Sequence, residues 1–196
     1  MSEPTKPSSA RFPAAPPAPG SSSNMTQPHT PNDPPVDIAR LREIGLFGAL
    51  SDDVLAHLAS QLKARRVPPG ESMFKEGDAA REMWVILDGE MEVLKRSRKG
   101  REQRVAVLGP NDTFGEMSIL DMQPRSASVR AVGPSRILRL ATEDMDALYR
   151  YDLKSYTLII LNIAREVSRR LRVTDSILAD FTASVLDEYL PAGNKR

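Results

Sequence analysis

Glycines at positions 70, 77, 89, 100 and 109 interrupt the middle of this chain every 7 to 12 residues. Between them lie short apolar-rich runs at 72–75, 83–87, 90–94 and 104–108, with two more at 127–132 and 136–140. Short runs at this spacing read as strands of an antiparallel barrel or sandwich. Glu90 to Val93 alternates, which puts Met91 and Val93 on the inner face. The expected fold is mainly β with flanking helices.

The flanks differ from this middle. Residues 1–36 are rich in Pro and Ser, as in Pro13-Ala14-Ala15-Pro16-Pro17, and are expected to form a disordered or polyproline-like tail. Ordered chain is expected from 37, with Leu41, Ile44, Leu46 and Phe47 as apolar anchors. Ser51-Asp52-Asp53 then supplies a cap and an acidic first turn for a helix carrying Val54, Leu55, Leu58 and Leu62. The barrel with its N-terminal helices is expected to span 37–152. Thr142-Glu143-Asp144 begins a short helix, and a long one is expected over 153–190, followed by a tail at 191–196. In the long helix Ile160, Ala164, Val167, Leu171, Thr174, Leu178, Phe181 and Val185 alternate spacings of four and three. That heptad seam points to a homodimer through the 160–185 helix rather than to a helix that only covers its own barrel.

The segment from Phe114 to Val129 carries the chemistry. Gly115 lets the backbone approach a ligand without a Cβ. Glu116 to Leu120 can form one helical turn whose free N–H groups attract a phosphate. Arg125 offers forked donors to phosphate oxygens, and Ser126 adds a hydroxyl beside it. A carboxylate at Glu116 should repel phosphate, unless it accepts from a sugar hydroxyl on the same ligand.

Phe114-Gly115-Glu116, Pro124-Arg125 and Ser126-Ala127-Ser128-Val129 resemble, without a gap, the phosphate-binding cassette of the cyclic nucleotide-binding domain family. That family includes catabolite activator protein and the regulatory subunits of cyclic-nucleotide-dependent kinases. The turns Pro69-Gly70-Glu71, Glu76-Gly77-Asp78 and Asp88-Gly89-Glu90 fall in the family's order, so the likeness covers roughly 45–178. Asn111 stands where the family usually has glycine, and Asn tolerates left-handed geometry. The resemblance implies a double-stranded β-helix, or jelly-roll, barrel. It also implies a cyclic-nucleotide ligand held by Phe114, Gly115, Glu116, Met117, Ser118, Arg125, Ser126 and Ala127. Leu171-Arg172-Val173-Thr174 resembles the dimer helix of the catabolite-activator branch, which makes Thr174 and Asp175 the base-contacting candidates. An Asp at 175 can accept from adenine or from guanine, and Ser126 can also meet a guanine amino group. The resemblance favours cAMP over cGMP.

Other functions fit poorly. The chain has no cysteine, and its two histidines, His29 and His57, lie far apart, which argues against metal, redox and triad chemistry. The strand-rich region holds no histidine, against a cupin-type enzyme. Net charge is +1, and only 18 residues follow Leu178, leaving no room for a helix-turn-helix reading head. No stretch approaches the roughly 20 apolar residues of a membrane span. The basic run Lys95-Arg96-Ser97-Arg98-Lys99-Gly100-Arg101 reads as a solvated hairpin tip. The expectation is a cytoplasmic, non-enzymatic cyclic-nucleotide sensor that signals to an unknown effector protein by movement of its long helix. A binding-dead dimerising scaffold and a regulator lacking its own DNA-binding domain are the alternatives.

Overall fold

The computed structural model describes residues 36–189. The tail at 1–36, Val36 excepted, and the tail at 191–196 lie outside the described residues. Val36 itself is buried.

Among the described residues eight strands form two antiparallel sheets of four. One holds β1 (Ala64–Val67), β8 (Ser135–Ala141), β3 (Glu82–Asp88) and β6 (Thr113–Phe114) in that spatial order. The other holds β2 (Ser72–Phe74), β7 (Ser128–Ala131), β4 (Met91–Arg96) and β5 (Glu102–Leu108). The chain crosses repeatedly between sheets, which produces the jelly-roll wrapping that the family resemblance implied.

The two faces of β3 explain its sequence. Trp84 and Ile86 point between the sheets, where they meet Met91, Phe114, Val129 and Ile137. Met83, Val85 and Leu87 point outward beneath the helices, among Leu138 and Leu140 of β8. A strand covered on both sides loses its polar alternation, hence the unbroken apolar run at 83–87. In β4, Met91 is buried between the sheets and Val93 packs against the same cluster, half-buried at the wall of an open cavity. Past a register shift between Val93 and Leu94, Leu94 is buried as well.

The helices α1 (Ile38–Arg42), α2 (Asp52–Gln61), α4 (Thr142–Tyr151) and α5 (Leu153–Tyr189) cover the outer face of the β1–β8–β3 sheet. Ser51 occupies the N-cap of α2 but its side chain makes no capping bond, contrary to expectation. The acidic first turn contributes instead through Asp52, which pairs with Arg42. His57 stacks on Tyr151 with ring centroids 3.8 Å apart, joining α2 to α4. Asp144 caps α4 by accepting the Ala141 N–H at 2.7 Å. At the start of α5, Asp152 accepts the Ser155 N–H at 3.2 Å.

The face of α5 that seals the fold is not the heptad seam. Ser155, Ile159 and Ile163, spaced by four, are buried. Of the seam, Ile160 and Val167 pack partly against this core, while Leu171, Leu178 and Phe181 are 59, 60 and 66% exposed. The first half of the helix covers its own barrel; in the second half Val173, Thr174 and Ile177 face the mouth of the barrel, while Leu171, Leu178 and Phe181 of the seam stand exposed.

Candidate functional site

A cavity of about 760 Å³ opens between β4, β5, the 114–127 segment and α5, within the size range of small-ligand sites. Strand β6 delivers Phe114 to its floor, and α3 (Met117–Asp121) follows at once. Gly115, between them, has φ +80. A Cβ there would lie 2.5 Å from Nη1 of Arg125. The glycine therefore makes room for the arginine in this structure, not directly for a ligand. The short α3 starts at the cavity, and the N–H groups of a first helical turn have no intrahelical acceptor. Asn111, on the approach to β6, takes φ +74. Its Oδ1 accepts from Arg40 Nη1 at 2.6 Å.

Arg125 is only 4% exposed. Its guanidinium lies 4.1 Å from the ring centroid of Phe74 and 4.9 Å from that of Trp84. Such desolvated cation–π contacts are worth about 2 kcal/mol and hold the group in place. Nη1 donates to the Gly115 carbonyl at 3.1 Å, while the buried Nε has no partner. Burial draws Arg125 below its ordinary value, opposed by Glu82, Asp78 and Glu116, so the group is a cation short of acceptors.

Glu116 is the second buried charge, 5% exposed. Its Oε1 accepts from Arg170 Nη1 at 3.2 Å; its Oε2 is buried with no partner. Burial pushes its carboxyl above the usual carboxylate range, against the pull of Arg170. Arg170 projects from α5, and also donates to the Thr113 carbonyl and to Glu166 Oε1, both at 2.7 Å. Glu166 takes two further bonds from Arg169, at 2.9 and 2.7 Å, which hold its carboxyl below the usual range.

The cavity is lined by Phe114, Gly115, Glu116, Met117, Ser118, Arg125, Ser126, Ala127 and Thr174 of the residues expected in the site. Asp175 is exposed and lies outside the lining, so only one of the two residues carried over on the helix faces the cavity. Val173 and Ile177 face it in place of Asp175, opposite Val105 and Val107 of β5. Thr174 Oγ1 donates to the Arg170 carbonyl at 3.0 Å. Sequence reading missed Arg170, Arg169 and Glu166, whose only local sign is an Arg-Arg pair three residues after a Glu. It also missed Phe74 of β2 and Trp84 of β3, which lie on different sheets and far from Arg125 in the chain. Among the described residues no group of three acidic or imidazole side chains can hold a metal, and no helix is long and apolar enough to cross a membrane.

The family model "Cyclic nucleotide-binding domain" matches residues 64–152. A CRP-like cAMP-activated global transcriptional regulator of Mycobacterium tuberculosis is 32% identical over 71% of this chain and 61% of its own length. The chain thus spans about three-fifths of that curated relative. The crystal structure of Thermus thermophilus catabolite activator protein is similar at TM-score 0.61 and 33% identity, over 70% of this chain and 63% of that one. The N-terminal domain of a transcriptional regulator from Streptomyces coelicolor is similar at TM-score 0.58 and 31% identity, over 71% of this chain and 94% of that one.

Proposed function

The chain belongs to the cyclic nucleotide-binding domain family, and from that premise we propose that it is a cyclic-nucleotide sensor, binding cAMP in preference to cGMP. One observation carries the reading. The cavity holds two buried side chains of opposite charge, and each keeps a polar atom without a partner: Nε of Arg125 and Oε2 of Glu116. Buried polar atoms are rarely left unpaired, and both residues belong to the lining of the cavity, so a ligand bound there is the candidate partner. A cyclic nucleotide offers an anionic phosphate for Arg125 and a ribose hydroxyl for Glu116.

In this reading the phosphate takes the Arg125 guanidinium with the N–H groups near Met117 and Ser118. The ribose hydroxyl donates to Glu116. The base enters between the apolar walls of β5 and α5, where Thr174 is the polar contact, and Asp175 acts only if α5 rotates. Ligand binds one position of α5 better than another, and that difference in affinity is the signal. The exposed seam of the distal helix makes a homodimer, and an effector protein receives the output. The protein works as a cytoplasmic receptor and not as an enzyme.

Calorimetric titration with cAMP and cGMP side by side tests this. The expected result is saturable binding of cAMP, tighter than cGMP, with a loss of at least a hundredfold in Arg125→Ala. Equal binding by Arg125→Ala, or no heat with either nucleotide, would refute it.

A further inference from the structure

A side chain outside the cavity controls how one wall of it is held. The β4–β7 ladder runs from Met91↔Ala131 to Leu94↔Ser128 and stops there. Beyond Ser128 the 124–127 segment leaves the sheet, so its backbone needs other partners. The loop after β2 provides several. Gly77 N–H donates to the Arg125 carbonyl and Arg125 N–H to the Asp78 carbonyl, each at 2.9 Å. Glu76 N–H donates to Ser128 Oγ at 3.0 Å. The Ser126 carbonyl is taken by the ammonium of Lys95, the β4 residue next to the last ladder pair.

Lys95 is itself fixed. Its Nζ donates to Glu76 Oε1 at 2.8 Å, and the other oxygen of Glu76 accepts the Arg96 N–H at 2.9 Å. Lys95 holds the Glu76 carboxyl below the usual range, as expected for a formed pair. The first residue of the basic run is therefore not merely solvated, as its sequence suggested. By contrast Arg98, three residues on, has no side-chain partner among the described residues.

We propose that Lys95 is a positioning residue for ligand binding: by holding the Ser126 carbonyl it orients the 126–127 peptide so that the Ala127 N–H faces the anionic group bound by Arg125. The geometry follows from the peptide bond. The C=O and N–H of a trans peptide point in opposite directions, and the chain has no cis bonds among its described residues. Ser126 and Ala127 line the cavity while Lys95 does not. A carbonyl anchored on the Lys95 side thus sends the next N–H the other way. Lys95 acts through this peptide and never needs to touch the ligand.

The inference rests on the cyclic-nucleotide reading, and the experiment separates the two. Binding of cAMP is measured for the wild type, Lys95→Met, Lys95→Arg, Arg98→Ala and Arg125→Ala, at about 0.1 and about 0.5 M salt. Amide NMR of the ligand-free proteins follows Ala127. Lys95→Met is expected to bind about tenfold more weakly at both salts, the worth of one charge-assisted hydrogen bond, with an unchanged melting temperature and a displaced Ala127 amide signal. Lys95→Arg should restore affinity to within about threefold and return that signal, because its guanidinium can reach the same carbonyl. Arg98→Ala should match the wild type at the higher salt, where an exposed charge is screened. If Lys95→Met binds like the wild type, if Arg does not rescue, or if Arg98→Ala loses as much, the positioning role is wrong even though Arg125→Ala has lost binding. If the wild type binds no cyclic nucleotide, the functional reading falls and the ligand role of Lys95 falls with it. An unmoved Ala127 signal in Lys95→Met would overturn the orientation itself whatever binds.

Discussion

Arg170 of α5 and Glu116 of the 114–127 segment stand 54 positions apart in the chain and 3.2 Å apart in the fold. The pair ties the long helix to the cavity wall through one carboxylate. Glu116 divides its two oxygens, giving Oε1 to the helix and leaving Oε2 buried without a partner. Whatever binds Oε2 therefore shares a group with the helix that closes over it.

Replacing Arg170 with Met should destabilise the ligand-free protein. Breaking a buried pair leaves the remaining charge uncompensated, at 3–5 kcal/mol in full burial. The Arg170 side chain is 28% exposed, so about 2 kcal/mol is the reasonable figure here. At about 2–4 °C per kcal/mol for a chain of this size, melting should fall by roughly 4–8 °C. An unchanged melting curve would mean the ion pair does not hold the helix.

Glu116→Gln should separate stability from binding. Because burial raises the folded-state pKa of Glu116 above its unfolded value, its contribution favours the fold below the usual carboxylate range. That contribution is lost as pH rises through the raised value. Gln suffers no such loss. The melting temperature of Glu116→Gln relative to the wild type should therefore climb between about pH 4 and pH 7, while affinity for cAMP drops about tenfold or more at pH 7. A difference that is flat with pH, or that shrinks toward neutrality, contradicts the assignment.

Gly115→Ala should damage the site more than a glycine substitution of equal backbone strain elsewhere. Gly115 and Gly70 have similar φ, +80 and +77, but a Cβ at 70 meets nothing within 4 Å. Both variants should lose about 1 kcal/mol from the left-handed backbone. Only Gly115→Ala should also displace Arg125 and abolish nucleotide binding in calorimetry. Comparable binding by the two variants would remove the steric argument.

Leu178→Glu combined with Phe181→Glu tests the distal seam. Both residues are exposed in the single chain, and neither lines the cavity. Analytical ultracentrifugation should find a dimer for the wild type and a monomer for the variant, with the dissociation constant raised at least a hundredfold by burying charge in an apolar seam. A wild-type monomer at tens of micromolar would leave the seam without a homodimer.

Local sequence went far with this protein. Glycine spacing marked the strands because turns need particular backbone angles. The 114–129 segment announced Gly115, Glu116 and Arg125 because they lie within a dozen residues of one another. The length of α5 was legible from periodicity alone, yet which face it buries was not. The heptad seam and the Ser155–Ile159–Ile163 stripe both fit a helix, and only packing against the first sheet chose between them for the proximal half. Arg170, Phe74, Trp84 and Lys95 could not be read locally, since each meets the cassette across a sheet or a helix interface. What the sequence determined by itself is a strand-rich fold with Gly115, Glu116 and Arg125 close together on one segment, written in neighbouring residues. What tertiary structure decided is their environment: which oxygen of Glu116 is left unpaired, what holds Arg125 at the cavity, and which helix residues line it. Those depend on burial and on contacts between residues distant in the chain, and the same short segment would carry a different chemistry without them.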